Sequence, residues 1–146
     1  MLQFYAGDWF MKILSVDFGD TRTGYAISDA MGFGANVLDA YKCKNIKGVA
    51  EYTAALAREQ GAEKIVLGYP KNMNGTLGPR AEKTKKLSKL LAEAIDVPVI
   101  LWDERLTTVS AHNLMNETNV RGKKRKESVD SISAAYILQG YLDSIR

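Results

Sequence analysis

The sequence predicts an α/β fold: a mixed five-stranded sheet, three antiparallel then parallel strands, with helices on both faces. Three observations predict it. Strand-like runs follow one another closely between Lys12 and Tyr41, with too little chain between them for a helix, so they pair as an antiparallel meander. From Asn45 onward helical periodicity alternates with short apolar runs, the pattern of crossover connections between parallel strands. At 146 residues the chain suits one domain with one substantial core.

The elements follow in order. Lys12 to Phe18 alternates, carries Ile13, Leu14 and Val16, and ends in the turn signal Asp17-Phe18-Gly19-Asp20. Tyr25 to Ser28 returns antiparallel, and a third strand lies between Phe33 and Tyr41 with Val37 and Leu38 at its centre. Asn45 caps a helix from Ile46 to Gln60, which Gly61 stops. Lys64 to Gly68 is a short strand of the buried type. A loop from Tyr69 to Gly78 leads to Pro79, placed where its missing N–H costs nothing at a helix start. Leu87, Leu90, Leu91 and Ala94 give that helix its apolar stripe. Val97 to Trp102 forms the fifth strand, Thr107 or Thr108 opens a short helix through Met115, and Ser128 caps a last helix carrying Val129, Ile132, Tyr136 and Leu138. Trp102 and Tyr136 are expected in the core. Residues 1–10 read as an extension outside the core, and residues 11–146 as a single domain.

Composition excludes several chemistries. Cys43 is the only cysteine and His112 the only histidine, so an internal disulfide, a thiolate metal site and a two-imidazole zinc site are all ruled out. His112 is expected to be structural or exposed. Any metal must sit on oxygen ligands, which favours magnesium or manganese. No apolar run approaches the roughly 20 residues of a membrane span, and a cytoplasmic location is expected. The net charge of +3 does not by itself announce a nucleic-acid binder. The distribution says more: Arg121 and Lys123 to Lys126 nearly form a continuous basic run, and Lys83, Lys85, Lys86 and Lys89 crowd one helix.

In open α/β sheets ligands gather beyond the carboxyl ends of the strands. Asp17 ends the first strand, Glu104 follows the fifth, and Asp130 falls in the first turn of the predicted last helix. Each has an ordinary explanation: a turn aspartate, a loop acid, an acid complementing a helix dipole. Their coincidence with an RNase H-type element order brings two strand ends and one helix start to the same edge. Clustered carboxylates repel unless a cation neutralises them. Two divalent ions roughly 4 Å apart would activate water and stabilise the leaving oxygen in phosphodiester hydrolysis. In this scheme Asp17 bridges both ions, and Glu104 and Asp130 each complete one side.

These residues also carry a resemblance. Val16 to Gly24, with Asp17, Gly19, Arg22 and Gly24, resembles the Asp-x-Gly opening of the YqgF/RuvX family of Holliday junction resolvases. Gly68 to Thr76 resembles its Gly-x-Pro loop, Trp102 to Thr108 its Asp-Glu-Arg block, and Val129 to Ala135 its closing acidic block. The resemblance runs from Met11 to Leu142 and implies an RNase H-like nuclease acting on structured nucleic acid. It matches Asp17, Glu104 and Asp130 to the family's acidic triad. It implies processing of the 5′ end of the pre-16S ribosomal RNA precursor, or else resolution of branched DNA. Asn74 departs from the family pattern, in which many members carry Asp.

Further positions suit nucleic-acid contact. Gly19 and Gly24 permit close backbone approach to a phosphate, and Arg22 has the planar fork that grips one. Lys71 and Asn72 lie in a polar loop of the kind that contacts substrate. Arg105, Thr107 and the basic trio Lys123, Lys124 and Arg125 complete the expected set, the basic run being mobile before substrate arrives. Two rivals remain: an actin-like nucleotide handler, which shares the Asp-x-Gly hairpin but needs two such domains where this chain has room for one, with no P-loop or Gly-x-Gly-x-x-Gly motif to mark a nucleotide site, and a non-catalytic scaffold for ribosome assembly or junction binding. Monomer and homodimer are both compatible with the sequence.

Overall fold

The computed structural model describes residues 11–29, 34–70, 78–103 and 122–145, with side chains of the last segment described from Ser131 onward. The expected short helix after Thr107 and the extension 1–10 lie outside the described residues.

Five strands and three helices are described: β1 (Ile13–Asp17), β2 (Arg22–Ser28), β3 (Ala35–Lys42), α1 (Ile46–Gln60), β4 (Lys64–Tyr69), α2 (Pro79–Ala94), β5 (Val99–Asp103) and α3 (Gly122–Ser144). The sheet order is β3-β2-β1-β4-β5. β1 pairs antiparallel with β2, and β2 antiparallel with β3. β4 pairs parallel with both β1 and β5. This is the mixed sheet expected from the spacing of the runs.

Alternation along each strand divides the core in two. Leu14, Val16, Tyr25, Ile65 and Leu67 pack with Val49, Ala50 and Ala57 of α1 and Leu87 and Leu91 of α2. Ile13, Ala26 and Val66 face the other way, against Ala134, Ile137, Leu138 and Leu142 of α3. Helices therefore cover both faces, which is why β1 and β4 read as continuous apolar runs.

Local chemistry sets the helix ends. Asn45 accepts a hydrogen bond from the Lys47 amide at 2.9 Å. Gly61 closes α1 with φ 70°, a left-handed conformation that glycine adopts without a Cβ penalty. Pro79 begins α2. On this face Tyr25 donates or accepts a buried hydrogen bond with Thr53 at 2.6 Å, and the rings of Tyr41 and Tyr52 stack at 3.9 Å.

The structure corrects four expectations. The last helix starts at Gly122, not at Ser128. Lys123, Lys124, Arg125, Lys126 and Glu127 are all good helix formers, and their summed propensity extends the helix past a plausible cap. The basic run from Gly122 is therefore helical, and Asp130 lies well inside α3, beyond its first turn. Tyr136 is half-buried and outside the core clusters, because Ala134, Ala135, Ile137 and Leu138 take the sheet-facing positions around it. β5 begins at Val99: Pro98 lacks an N–H, and its carbonyl accepts from the Ile65 amide at 2.9 Å instead. Trp102 packs on the α3 side, edge-on to Tyr141 at 5.7 Å.

Candidate active site

The site begins with Asp17, last residue of β1, a strand flanked by β2 and β4. Leu14 and Val16 point into the α1–α2 core, so alternation turns Ser15 and Asp17 toward the α3 side. Ser15 confirms the direction: its buried hydroxyl donates to the Ala134 carbonyl of α3 at 2.6 Å. The Asp17 side chain is 17% exposed, open enough for a ligand yet held by its surroundings.

The hairpin after Asp17 leaves no room for a side chain at Gly19, where a Cβ would strike the carbonyl oxygen of Arg22. Gly24 stands directly opposite Asp17 in the β1–β2 pairing. The register of β2 against β3 shifts between Thr23 and Tyr25, a bulge beside this pair. The Cys43 amide then donates to the Thr21 carbonyl at 3.0 Å, tying the turn to the end of β3.

Arg80 approaches from the first turn of α2. Its Nη2 donates to the Phe18 carbonyl at 3.0 Å and lies 3.9 Å from Asp17 Oδ1. Lys83, one turn on, pairs with Asp20 at 3.2 Å. Arg80 was absent from the sequence-derived set; its position just after the helix-starting Pro79 was the available signal.

Parallel pairing brings three strand ends to one edge. Val16 is opposite Leu67, and Leu67 is opposite Leu101, so Asp17 and Trp102 lie one step beyond a common row. Asp103 ends β5 at this edge, and Glu104 follows it in the chain. α3 runs diagonally over the same face. Its Ser131 hydroxyl donates to the Leu38 carbonyl at 2.6 Å, in the row of Tyr25 and Val16. Its Tyr141 hydroxyl accepts from Lys64 Nζ at 2.9 Å, in the row of Ile13. Toward its N-terminus the helix thus heads for the edge that holds Asp17, and position 130 lies one turn, about 6 Å, before Ala134.

Of the expected site residues, Asp17 and Arg22 have described side chains. The backbone of Asp130, Lys123, Lys124 and Arg125 is described as part of α3. Lys71, Asn72, Asn74, Glu104, Arg105, Thr107 and His112 lie outside the described residues. Among the described residues no group of three or more His, Cys, Asp or Glu side chains forms a metal-binding cluster. Among them, too, no helix is long and apolar enough to cross a membrane.

A mixed sheet in this order, with helices on both faces and an aspartate ending its first strand, places the chain among proteins of RNase H-like fold. Solved structures agree on the fold. RuvC of T. thermophilus in complex with a Holliday junction substrate superposes with TM-score 0.62 at 12% identity, covering 92% of this chain and 96% of that one. The Fowlpox virus resolvase in complex with Holliday junction DNA gives TM-score 0.57 at 16% identity, covering 92% and 98%. In sequence, the chain is 48% identical over 136 residues to a protein of Ruminiclostridium cellulolyticum named "Putative pre-16S rRNA nuclease", covering 92% of this chain and 96% of that one. A protein of the same name from Bacillus licheniformis is 44% identical over 139 residues, covering 92% and 99%. The RuvX family model, described as Holliday junction resolvase, matches residues 11–144. The chain belongs to the RuvX family, and it is a nuclease, a hydrolase of phosphodiester bonds.

Proposed function

We propose that this nuclease cleaves structured nucleic acid at the 5′ end of the pre-16S ribosomal RNA precursor, in the cytoplasm, as one domain spanning residues 11–146. Asp17, Glu104 and Asp130 are the catalytic acids. The observation that carries this reading is the placement of Asp17, which sits beside the ends of two parallel strands on the face that α3 crosses. The near-identical reach of relatives carrying the pre-16S rRNA nuclease name supports the RNA substrate.

The donor set fits a hard divalent cation. Asp17 offers carboxylate oxygen, and the single histidine and cysteine leave no softer alternative. Mg2+ or Mn2+, held by Asp17, Glu104 and Asp130, would supply Lewis-acid stabilisation and an activated water. The chain's own residues do the rest. Arg80 fixes the turn that carries Asp17, Gly24 brings no side chain of its own opposite that carboxylate across the β1–β2 pair, and Arg22 with Lys71, Asn72, Arg105, Thr107, Lys123, Lys124 and Arg125 binds phosphates.

The test compares the wild-type chain with Asp17→Asn on a pre-16S RNA 5′ fragment and on a four-way DNA junction, with Mg2+, Mn2+ or chelator. Cleavage of the RNA that needs metal and drops at least about 10³-fold in the variant supports the reading, since loss of a catalytic carboxylate removes several kcal/mol of transition-state stabilisation. Equal cleavage by the variant would remove the triad. Selective cleavage of the junction would favour the resolvase reading, to which the family description also points. Binding without cleavage of either would favour the scaffold.

A further inference from the structure

Beyond the acidic edge, three neighbouring depressions form one band across the molecule. The first, of about 480 Å³, is lined by Thr21, Arg22, Lys42, Cys43 and Lys44 at the end of the β2–β3 ribbon. The second, of about 230 Å³, lies over the hairpin that follows Asp17, between Phe18, Asp20, Lys44, Ile46, Lys83 and Lys86. The third, of about 420 Å³, follows the outer face of α2 along Lys83, Lys85, Lys86 and Lys89 with Glu82. Lys44 is common to the first two, and Lys83 and Lys86 to the last two, so the band is continuous.

Its electrostatics are one-sided. Among the described residues Asp20 and Glu82 are the acids lining it, and Asp20 is already paired with Lys83 at 3.2 Å. Lys42, Lys44, Lys85, Lys86 and Lys89 are exposed. Such a density of like charge is self-repulsive and is relieved by a polyanion that spans it. Lys83, Lys86 and Lys89 recur every third residue, so from first to last they span about 9 Å of helix, or two to three steps of a duplex strand. A lipid surface is the poorer match. The large apolar side chains described as exposed, Val37 and Ile145, line none of these depressions, and peripheral membrane binding relies on apolar anchors beside the charge.

We propose that this band is the track for the flanking duplex of the nucleic-acid substrate, entering over Lys42 and Lys44 and leaving along α2 past Lys86 and Lys89. The track crosses the turn between Asp17 and Arg22, so a backbone lying in it passes beside the catalytic edge. It gives the enzyme a grip on structure rather than base sequence, since lysines contact phosphates without reading bases. The proposal rests on the nuclease reading above and names the surface that holds its substrate.

The experiment measures binding by fluorescence anisotropy, in chelator to prevent cleavage, for the wild-type chain and for Lys42→Gln/Lys44→Gln/Lys86→Gln/Lys89→Gln. The probes are a labelled RNA duplex with a single-stranded 5′ extension and its DNA counterpart. Each phosphate contact contributes about 0.9 to the slope of log K against log salt. The quadruple variant should therefore flatten that slope by about 3 to 4 and weaken binding about 10²-fold or more at low salt. All four lysines are surface residues, so the variant should keep its circular dichroism and melting temperature within narrow limits. Lys42→Gln/Lys44→Gln and Lys86→Gln/Lys89→Gln should each give about half the effect, and trimming the duplex arm in steps should silence one pair before the other. An unchanged slope, or both pairs falling silent at the same arm length, overturns the track. Loss of binding to phosphatidylserine vesicles with nucleic-acid binding intact overturns it in favour of a lipid surface. Failure of the nuclease reading looks different: the wild type then leaves both nucleic acids uncut with metal, whatever the salt slopes.

Discussion

Arg80 bridges two elements that the sequence holds far apart, donating to the Phe18 carbonyl at 3.0 Å while standing 3.9 Å from the Asp17 carboxylate. The start of α2 is thereby pinned to the end of β1. The pair is half-exposed on the arginine side, so its charge attraction contributes little to overall stability. Its consequence lies in geometry: in the proposed mechanism the Asp17 carboxylate must be held to within a fraction of an ångström to act.

Arg80→Gln should therefore cut cleavage about tenfold or more while shifting stability by less than about 1 kcal/mol. Arg80→Lys keeps the charge but not the planar fork, and should recover only part of the rate. Initial rates and thermal melts on the same preparations check both statements. A melt that falls in step with the rate would make Arg80 a stability residue instead.

Gly19→Ala should damage the site from the opposite side of Asp17. The new Cβ meets the Arg22 carbonyl, which is backbone and unable to step aside cheaply. The hairpin must open, at a cost of about 1–3 kcal/mol. Denaturant midpoints should fall accordingly, and metal-dependent cleavage should fall further than the midpoint shift explains.

Ser15→Ala should loosen α3 from the sheet. The hydroxyl is fully buried and donates to the Ala134 carbonyl at 2.6 Å, two residues before Asp17 and one helical turn after Asp130. Its loss should cost about 1 kcal/mol and about 3 °C in melting temperature. Hydrogen exchange in the N-terminal half of α3 should rise more than in α1, which does not share the bond.

Tyr25 should make stability fall in alkali. Burial, reinforced by Tyr52, Tyr41 and Cys43, raises its phenol well above the ordinary value of 10.0, against a smaller opposing effect of the Thr53 hydrogen bond. A group whose pKa is higher folded than unfolded stabilises the fold fully below the unfolded value and progressively loses that contribution above it. The denaturant midpoint should accordingly be flat with respect to Tyr25 up to about pH 10 and fall beyond it. Tyr25→Phe should remove that component, while costing about 1–2 kcal/mol at neutral pH because Thr53 loses its buried partner.

The parts of this protein that were legible in one dimension are those that neighbours in the chain decide. Asn45 and Gly61 bound α1 through bonds to residues a few positions away, and Pro79 marks the start of α2 through its own missing N–H. Strand alternation and crossover length are likewise local, which is why the five strands, their pairing sense and the position of Asp17 at a strand end could be read directly. The start of α3 was misread because Ser128 has a good local cap signal, whereas the lysine-rich stretch before it wins through summed propensity. Tyr136 was misplaced because a helix with apolar residues on several sides does not declare which side meets the sheet.

The sequence by itself determined the order of the described elements and the place of Asp17 at the end of the first strand, since residue type and spacing along the chain are enough for each. Only the tertiary structure decided that Arg80 reaches Asp17, that Ser15 fastens α3 beneath it, and that lysines from β3, the following turn and α2 line one band. Those relationships join residues tens of positions apart, and nothing in local chain chemistry specifies which distant side chains share a surface until the sheet and its two helical layers have packed.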